Sequence, residues 1–194
     1  MTFVIVPGLD GSDERHWQSV WETSWLPQAI RIEPSSWTTP DLDDWSKAIS
    51  TAVGRAGSDV VFIAHSLGCH AVGQWLTSVR TNAVRGAFLV APPDQLAPTF
   101  PSALLPTFAS LPATPLDVPG VLVASDNDPY CTVEAASRLA TNWAIPLITT
   151  GRQGHINSEG NLGSWPTGQA LLTAFLAGLG LWVSPRSVET SPLR

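Results

Sequence analysis

One serine stands out by its surroundings. The string Val60-Val61-Phe62-Ile63-Ala64-His65-Ser66-Leu67-Gly68-Cys69 leads a buried type of strand into small-x-Ser-x-Gly and then a helix. A turn this tight holds its central residue in a strained conformation at the top of a sheet, where the hydroxyl is presented for attack. The positions two before and two after must be small, because strand and helix backbones pass close by. Here they are Ala64 and Gly68. The usual pattern has glycine at both, so Ala64 departs from it by one methyl. The chemistry that suits such a serine is acyl transfer. The free N–H groups at the following helix start favour the negative charge that acyl transfer develops.

A serine hydroxyl is a poor nucleophile near neutrality and needs a base within hydrogen-bond reach. Four histidines compete. His65 precedes the serine on the turn, so its ring should point away and pack beneath. His70 lies one helical turn beyond Ser66; it could line a pocket but is held too far back to act as base. His16 opens a helix beside Trp17 and could equally be structural. His155 stands in Gly151-Arg152-Gln153-Gly154-His155-Ile156-Asn157, after the last expected strand and on the same rim as Ser66. His155 is the expected base. The acid that orients it should follow a strand between the two, since serine, acid, histidine is the chain order found with such elbows. Asp94, Asp126 and Asp128 all satisfy this. Asp128, deeper in Ser125-Asp126-Asn127-Asp128-Pro129-Tyr130 and stiffened by Pro129, is favoured, but spacing separates it only weakly from Asp126.

The oxyanion needs two backbone donors. One should be the N–H of Leu67, directly after the nucleophile, and the other should come from Gly8-Leu9-Asp10-Gly11 after the first strand. That loop lacks the spacing and the third glycine of a dinucleotide fingerprint, and its aspartates would repel a pyrophosphate. No His-Glu-x-x-His occurs, and the His65/His70 spacing of five does not put both on one helical face, so no metal is expected. Cys69 sits a turn inside the helix rather than at the elbow, and both it and Cys131 read as packing. No cofactor is implied.

The elements that would position these groups alternate along the chain. Apolar, β-branched runs at Phe3–Val6, Ala29–Ile32, Val60–Ala64, Gly86–Ala91, Val121–Ala124 and Pro146–Thr149 look like strands covered on both faces. Trp17, Trp21 and Trp25 form a stripe on one helical face. Asp41 can cap a helix whose inner side is Leu42, Trp45, Ile49 and Val53. Further helices are expected over Ser66–Val79, Val133–Trp143 and about Thr167 to Leu181. This order predicts an α/β fold: a mostly parallel, doubly wound sheet of about six strands with helices on both faces. Pro92 to Pro119 breaks the rhythm, with eight prolines and only Asp94 and Asp117 charged. It is expected to lie over the C-terminal edge of the sheet, with a short helix around Ala103–Ser110. With Trp165, it is expected to shape an acyl or leaving-group pocket.

Composition bounds the rest. A chain of 194 residues, 44% hydrophobic and 13% charged, suits one folded domain over 1–182 with a polar, frayed tail over 183–194. No run reaches the roughly 18 apolar residues of a membrane span, and the start has no basic region of a leader. The net charge of −6 and single lysine disfavour nucleic acid as a partner. Two cysteines are too few for a disulfide framework, and free thiols in a reducing cytoplasm are the expectation.

Beyond the elbow, the chain resembles the small serine hydrolases typified by retinoblastoma-binding protein 9, a branch of the α/β-hydrolase superfamily. The resemblance is carried by Val6-Pro7-Gly8, His16-Trp17-Gln18, Ala64-His65-Ser66-Leu67-Gly68, Val123-Ala124-Ser125-Asp126-Asn127-Asp128-Pro129-Tyr130, Gly154-His155-Ile156-Asn157 and Gly163-Ser164-Trp165-Pro166-Thr167-Gly168. It implies a compact, nearly lidless α/β-hydrolase with Ser66, Asp128 and His155 as triad, and Leu9 as the second oxyanion donor. The expected activity is that of an esterase on small soluble esters. The alternatives are an amidase or aminopeptidase-type hydrolase, or a catalytically idle module on this fold that binds a protein.

Overall fold

The computed structural model describes residues 1–183; the tail expected from 183 lies, from 184 onward, outside the described residues. Six strands form one parallel sheet: β1 (Thr2–Val6), β2 (Ala29–Arg31), β3 (Val60–His65), β4 (Val84–Val90), β5 (Gly120–Ala124) and β6 (Leu147–Thr149). Their spatial order is β2-β1-β3-β4-β5-β6. All six runs singled out by composition are strands, with ends shifted by up to two residues.

Successive side chains point to opposite faces of a strand, and this sheet uses both. Val4, Val6, Phe62, Ala64 and Leu89 enter one core, with α2 (Leu42–Ala56), α3 (Leu67–Ser78) and α4 (Val133–Trp143). Phe3, Ile5, Val61, Ile63 and Phe88 enter the other, with α1 (Trp17–Ser24) and α5 (Pro166–Gly178). That two-sided burial is why the strands read as continuous apolar runs. Trp45 and Ile49 of α2 are buried, as the helical spacing requires, and the Asp41 carboxylate caps the helix by accepting the Asp44 N–H at 3.0 Å.

The segment from Pro92 to Pro119 contains no helix among the described residues. Where a short helix was expected around Ala103–Ser110, the chain makes turns instead, closed by Leu105 N–H to Pro101 O and Ala109 N–H to Leu105 O. Pro106 is the reason. It has no N–H to give and disfavours helical geometry at Leu105. Phe100, Leu105 and Phe108 are nonetheless buried, with the Phe108 ring edge-on to Trp45 at 5.4 Å, so the segment is packed down.

Candidate active site

The strand order reverses direction between β1 and β3, since β1 connects outward to β2 and the chain then crosses to β3. Crevices in open α/β sheets form at such a point, beyond the carboxyl ends of the strands. The loops that leave β1 and β3 there are Gly8–Gly11 and the turn at Ser66. Ser66 has φ 54° and ψ −125°, a region costly for a residue with a Cβ. Gly68 is required at this turn: a Cβ there would meet the carbonyl oxygens of Val6 and Pro7. A Cβ on Gly8 would fall 2.7 Å from that of Ser66, so the first loop passes directly over the serine.

Into this crevice the His155 loop brings its imidazole. His155 Nε2 lies 2.9 Å from Ser66 Oγ, and Nδ1 lies 3.0 and 2.9 Å from the two oxygens of Asp128. A carboxylate only accepts, so the proton sits on Nδ1, and Nε2 is left to accept from the serine hydroxyl. Asp128 has a side chain 2% exposed and also accepts the Tyr130 N–H at 2.9 Å. Asp126 is exposed, its N–H bonded to the Gly151 carbonyl. Asp94 pairs with Arg138 at 3.0 Å. The three side chains brought together are thus Ser66, His155 and Asp128.

The other histidines have separate tasks. His65 is buried beneath the elbow and its Nε2–H donates to the His155 carbonyl at 2.9 Å. Burial, helped by His16 and His155 nearby, holds its pKa well below the usual value. His70 does not line the crevice. It turns toward the Pro93 carbonyl at 2.8 Å, tying α3 to the proline-rich segment, and burial lowers its pKa to about 4. His16 caps α1, its Nδ1 accepting the Gln18 N–H at 3.2 Å.

Several groups that hold the His155 loop escaped the sequence reading. Ser125 Oγ accepts the Gln153 N–H at 2.8 Å, and the Asn127 side chain accepts the Gly154 N–H at 2.9 Å. The tryptophan stripe is core, as its spacing suggests, but its indoles also reach this loop. Trp17 Nε1–H donates to the Ile156 carbonyl at 2.8 Å, and Trp21 Nε1–H to that of Ser164 at 2.7 Å. Trp165 was expected near the pocket; it is instead 1% exposed in the core, where Gly168 leaves room for its ring and its own indole donates to Gln153. Buried indole N–H groups need acceptors. The spacing of the tryptophans gave their face but not these partners, which lie more than a hundred residues away for Trp17 and Trp21.

Above the triad opens a cavity of about 510 Å³. Gly8, Leu9 and Leu67 line it beside Ser66, and no backbone acceptor is paired with the N–H of Leu9 or Leu67 among the described residues. The proline-rich segment contributes Pro93, Phe100, Pro101 and Leu105. Cys69 and Cys131 are both free and buried. Burial raises both thiols, that of Cys131 to about 12 with Asp128 and Asp94 adding to the effect, which disfavours the thiolate that a cysteine nucleophile needs. No group of three or more His, Cys, Asp or Glu among the described residues could hold a metal ion. Nor is any described helix long and apolar enough to cross a membrane.

A parallel sheet in this order, with the elbow at its switch point, is the α/β-hydrolase fold, and the elbow serine with its histidine marks a hydrolase. The chain belongs to the serine hydrolase family, whose model matches residues 3–174. A protein described as a YdeN-like hydrolase from Pectobacterium atrosepticum is 34% identical over 92% of this chain and 91% of its own, with a TM-score of 0.80. The ydeN gene product of Bacillus subtilis shares the fold at 21% identity, covering 91% of this chain and all (100%) of that one, with a TM-score of 0.72. Est1E from Butyrivibrio proteoclasticus, solved with ferulic acid bound, shares the fold at 16% identity, with 88% of each chain covered and a TM-score of 0.64. Among curated proteins, none matches.

Proposed function

We propose that this serine hydrolase is an esterase for small esters, working through an acyl-enzyme. The observation that carries the reading is the unbroken hydrogen-bonded line from Asp128 through His155 to Ser66 Oγ at the floor of an open cavity. Ser66 Oγ attacks the ester carbonyl as His155 Nε2 takes its proton. The carbonyl oxygen becomes an oxyanion beside the N–H groups of Leu9 and Leu67, each such donor typically contributing about 10²–10³ in rate. Asp128 holds the ring and stabilises the imidazolium. His155 then protonates the departing alkoxide, and a water deprotonated by the same nitrogen releases the acid and restores Ser66.

The cavity's modest volume, and the lack of a lid helix over it among the described residues, support small substrates over long-chain lipids. The motif strings shared with the retinoblastoma-binding protein 9 group support a place near that branch, as a single domain over 1–182. Two unpaired thiols support a cytoplasmic setting. The test is a chain-length series of p-nitrophenyl esters run beside aminoacyl amides, with the Ser66→Ala protein as blank. Short acyl esters should turn over fastest and depend wholly on Ser66. Amides hydrolysed as well as esters would overturn the ester reading. A chain that neither turns over any substrate nor is labelled at Ser66 by a fluorophosphonate would overturn catalysis itself.

A further inference from the structure

We infer that the Nε2–H of His16 is a hydrogen-bond donor for the alcohol half of the substrate, selecting esters whose leaving alcohol carries a second, neutral oxygen. The inference rests on the esterase reading and narrows it.

His16 is 4% exposed and lines the cavity with Ser66 and His155. Its Nδ1 accepts the Gln18 N–H at 3.2 Å, so the proton of the neutral ring is on Nε2. That Nε2 is buried and has no hydrogen-bond partner among the described residues. Buried donors are rarely left so, because an unpaired one carries its full desolvation penalty. Burial, aided by Arg31 and His155 and opposed by Asp13, lowers the pKa of the ring to about 4, which keeps it a neutral donor.

The alcohol half is singled out by the chemistry. The leaving oxygen must take its proton from His155, so the alcohol lies on the His155 side of Ser66. His16 belongs to that side. Its backbone N–H bonds the Asp13 carboxylate at 2.9 Å, the same carboxylate accepts the Ser158 hydroxyl at 2.8 Å, and Ser158 continues the His155 loop. The rings of His16 and His155 both rest against His65, at 4.7 and 4.9 Å. Asp13 and Glu159 line the cavity too and repel an anion, while a cationic centre has no lone pair to accept the N–H. A hydroxyl or ether oxygen fits.

The experiment compares 2-methoxyethyl acetate with n-butyl acetate, equal in length and differing by one oxygen for one methylene. In the wild-type protein the ratio of kcat/KM, methoxyethyl over butyl, should exceed the ratio for hydroxide-catalysed hydrolysis by about tenfold, as for one regained hydrogen bond. In His16→Asn, which keeps a capping acceptor for α1 but loses the distal N–H, the ratio should fall to the hydroxide value. A merely structural role would lower both esters together and leave the ratio intact, which overturns the inference. So does a wild-type ratio equal to that of hydroxide, whatever the variant does. If the wild type hydrolyses neither ester, nor any p-nitrophenyl ester, the parent reading fails instead, and this one with it.

Discussion

His65 and His155 are joined by a single hydrogen bond, Nε2–H to backbone carbonyl at 2.9 Å, so the residue before Ser66 holds the backbone of His155. Both are buried. Replacing His65 by Leu keeps bulk but orphans that carbonyl, and should cost about 1–3 kcal/mol of stability in urea denaturation. Because the His155 loop loosens, kcat should fall by about tenfold or more while KM changes less. Unchanged kcat in a folded protein would separate the two residues functionally.

Ser66 carries backbone strain together with the hydroxyl proposed as nucleophile. Ser66→Ala should remove activity by about 10⁴-fold or more and keep the strained φ of 54°. Ser66→Gly should be equally inactive but more stable than Ser66→Ala by about 1 kcal/mol, because glycine accepts that conformation without a Cβ penalty. Thermal melts of the two variants make the comparison.

Asp128 and Asp126 are two residues apart, yet only Asp128 reaches the His155 ring. Asp128→Asn should lower kcat by about 10⁴-fold, since an amide favours the wrong imidazole tautomer. Asp126→Asn, at an exposed position, should change it less than about threefold. Steady-state kinetics on one ester decide between them.

Three buried histidines make the fold acid-sensitive. His16 and His70 have pKa values near 4, and that of His65 lies well below its usual value, all first because burial disfavours the charged ring. In the unfolded chain each takes up a proton as the pH falls through about 6.5, while the folded chain stays unprotonated. The unfolded state therefore binds more protons, and stability present above pH 6.5 is lost progressively toward pH 4. For His16 and His70 the loss is at most about 3 kcal/mol each. Urea midpoints at pH 7.5, 6, 5 and 4 should fall in that order. His70→Gln, which retains a donor for Pro93, should flatten the decline.

The sequence by itself determined the strands, the helices and the elbow, because these are written in neighbours. Continuous apolar runs mark the strands, helical spacing exposes the buried faces of the helices, and Ala64, Ser66 and Gly68 declare a close crossing whose cause is the end of β1. It also pointed to His155 as the proposed base, since only one histidine follows the last strand. Choosing the acid needed more. Asp126 and Asp128 share a loop, and which carboxylate turns inward depends on how Tyr130 and His155 meet it. The loss of the short helix expected near Ala103, the His70 tie to Pro93, the burial of Trp165 and the indole tethers of the His155 loop were likewise decided in three dimensions. Each pairs groups remote in the chain or depends on competition with proline, and a buried donor takes whichever acceptor the packed fold brings within reach.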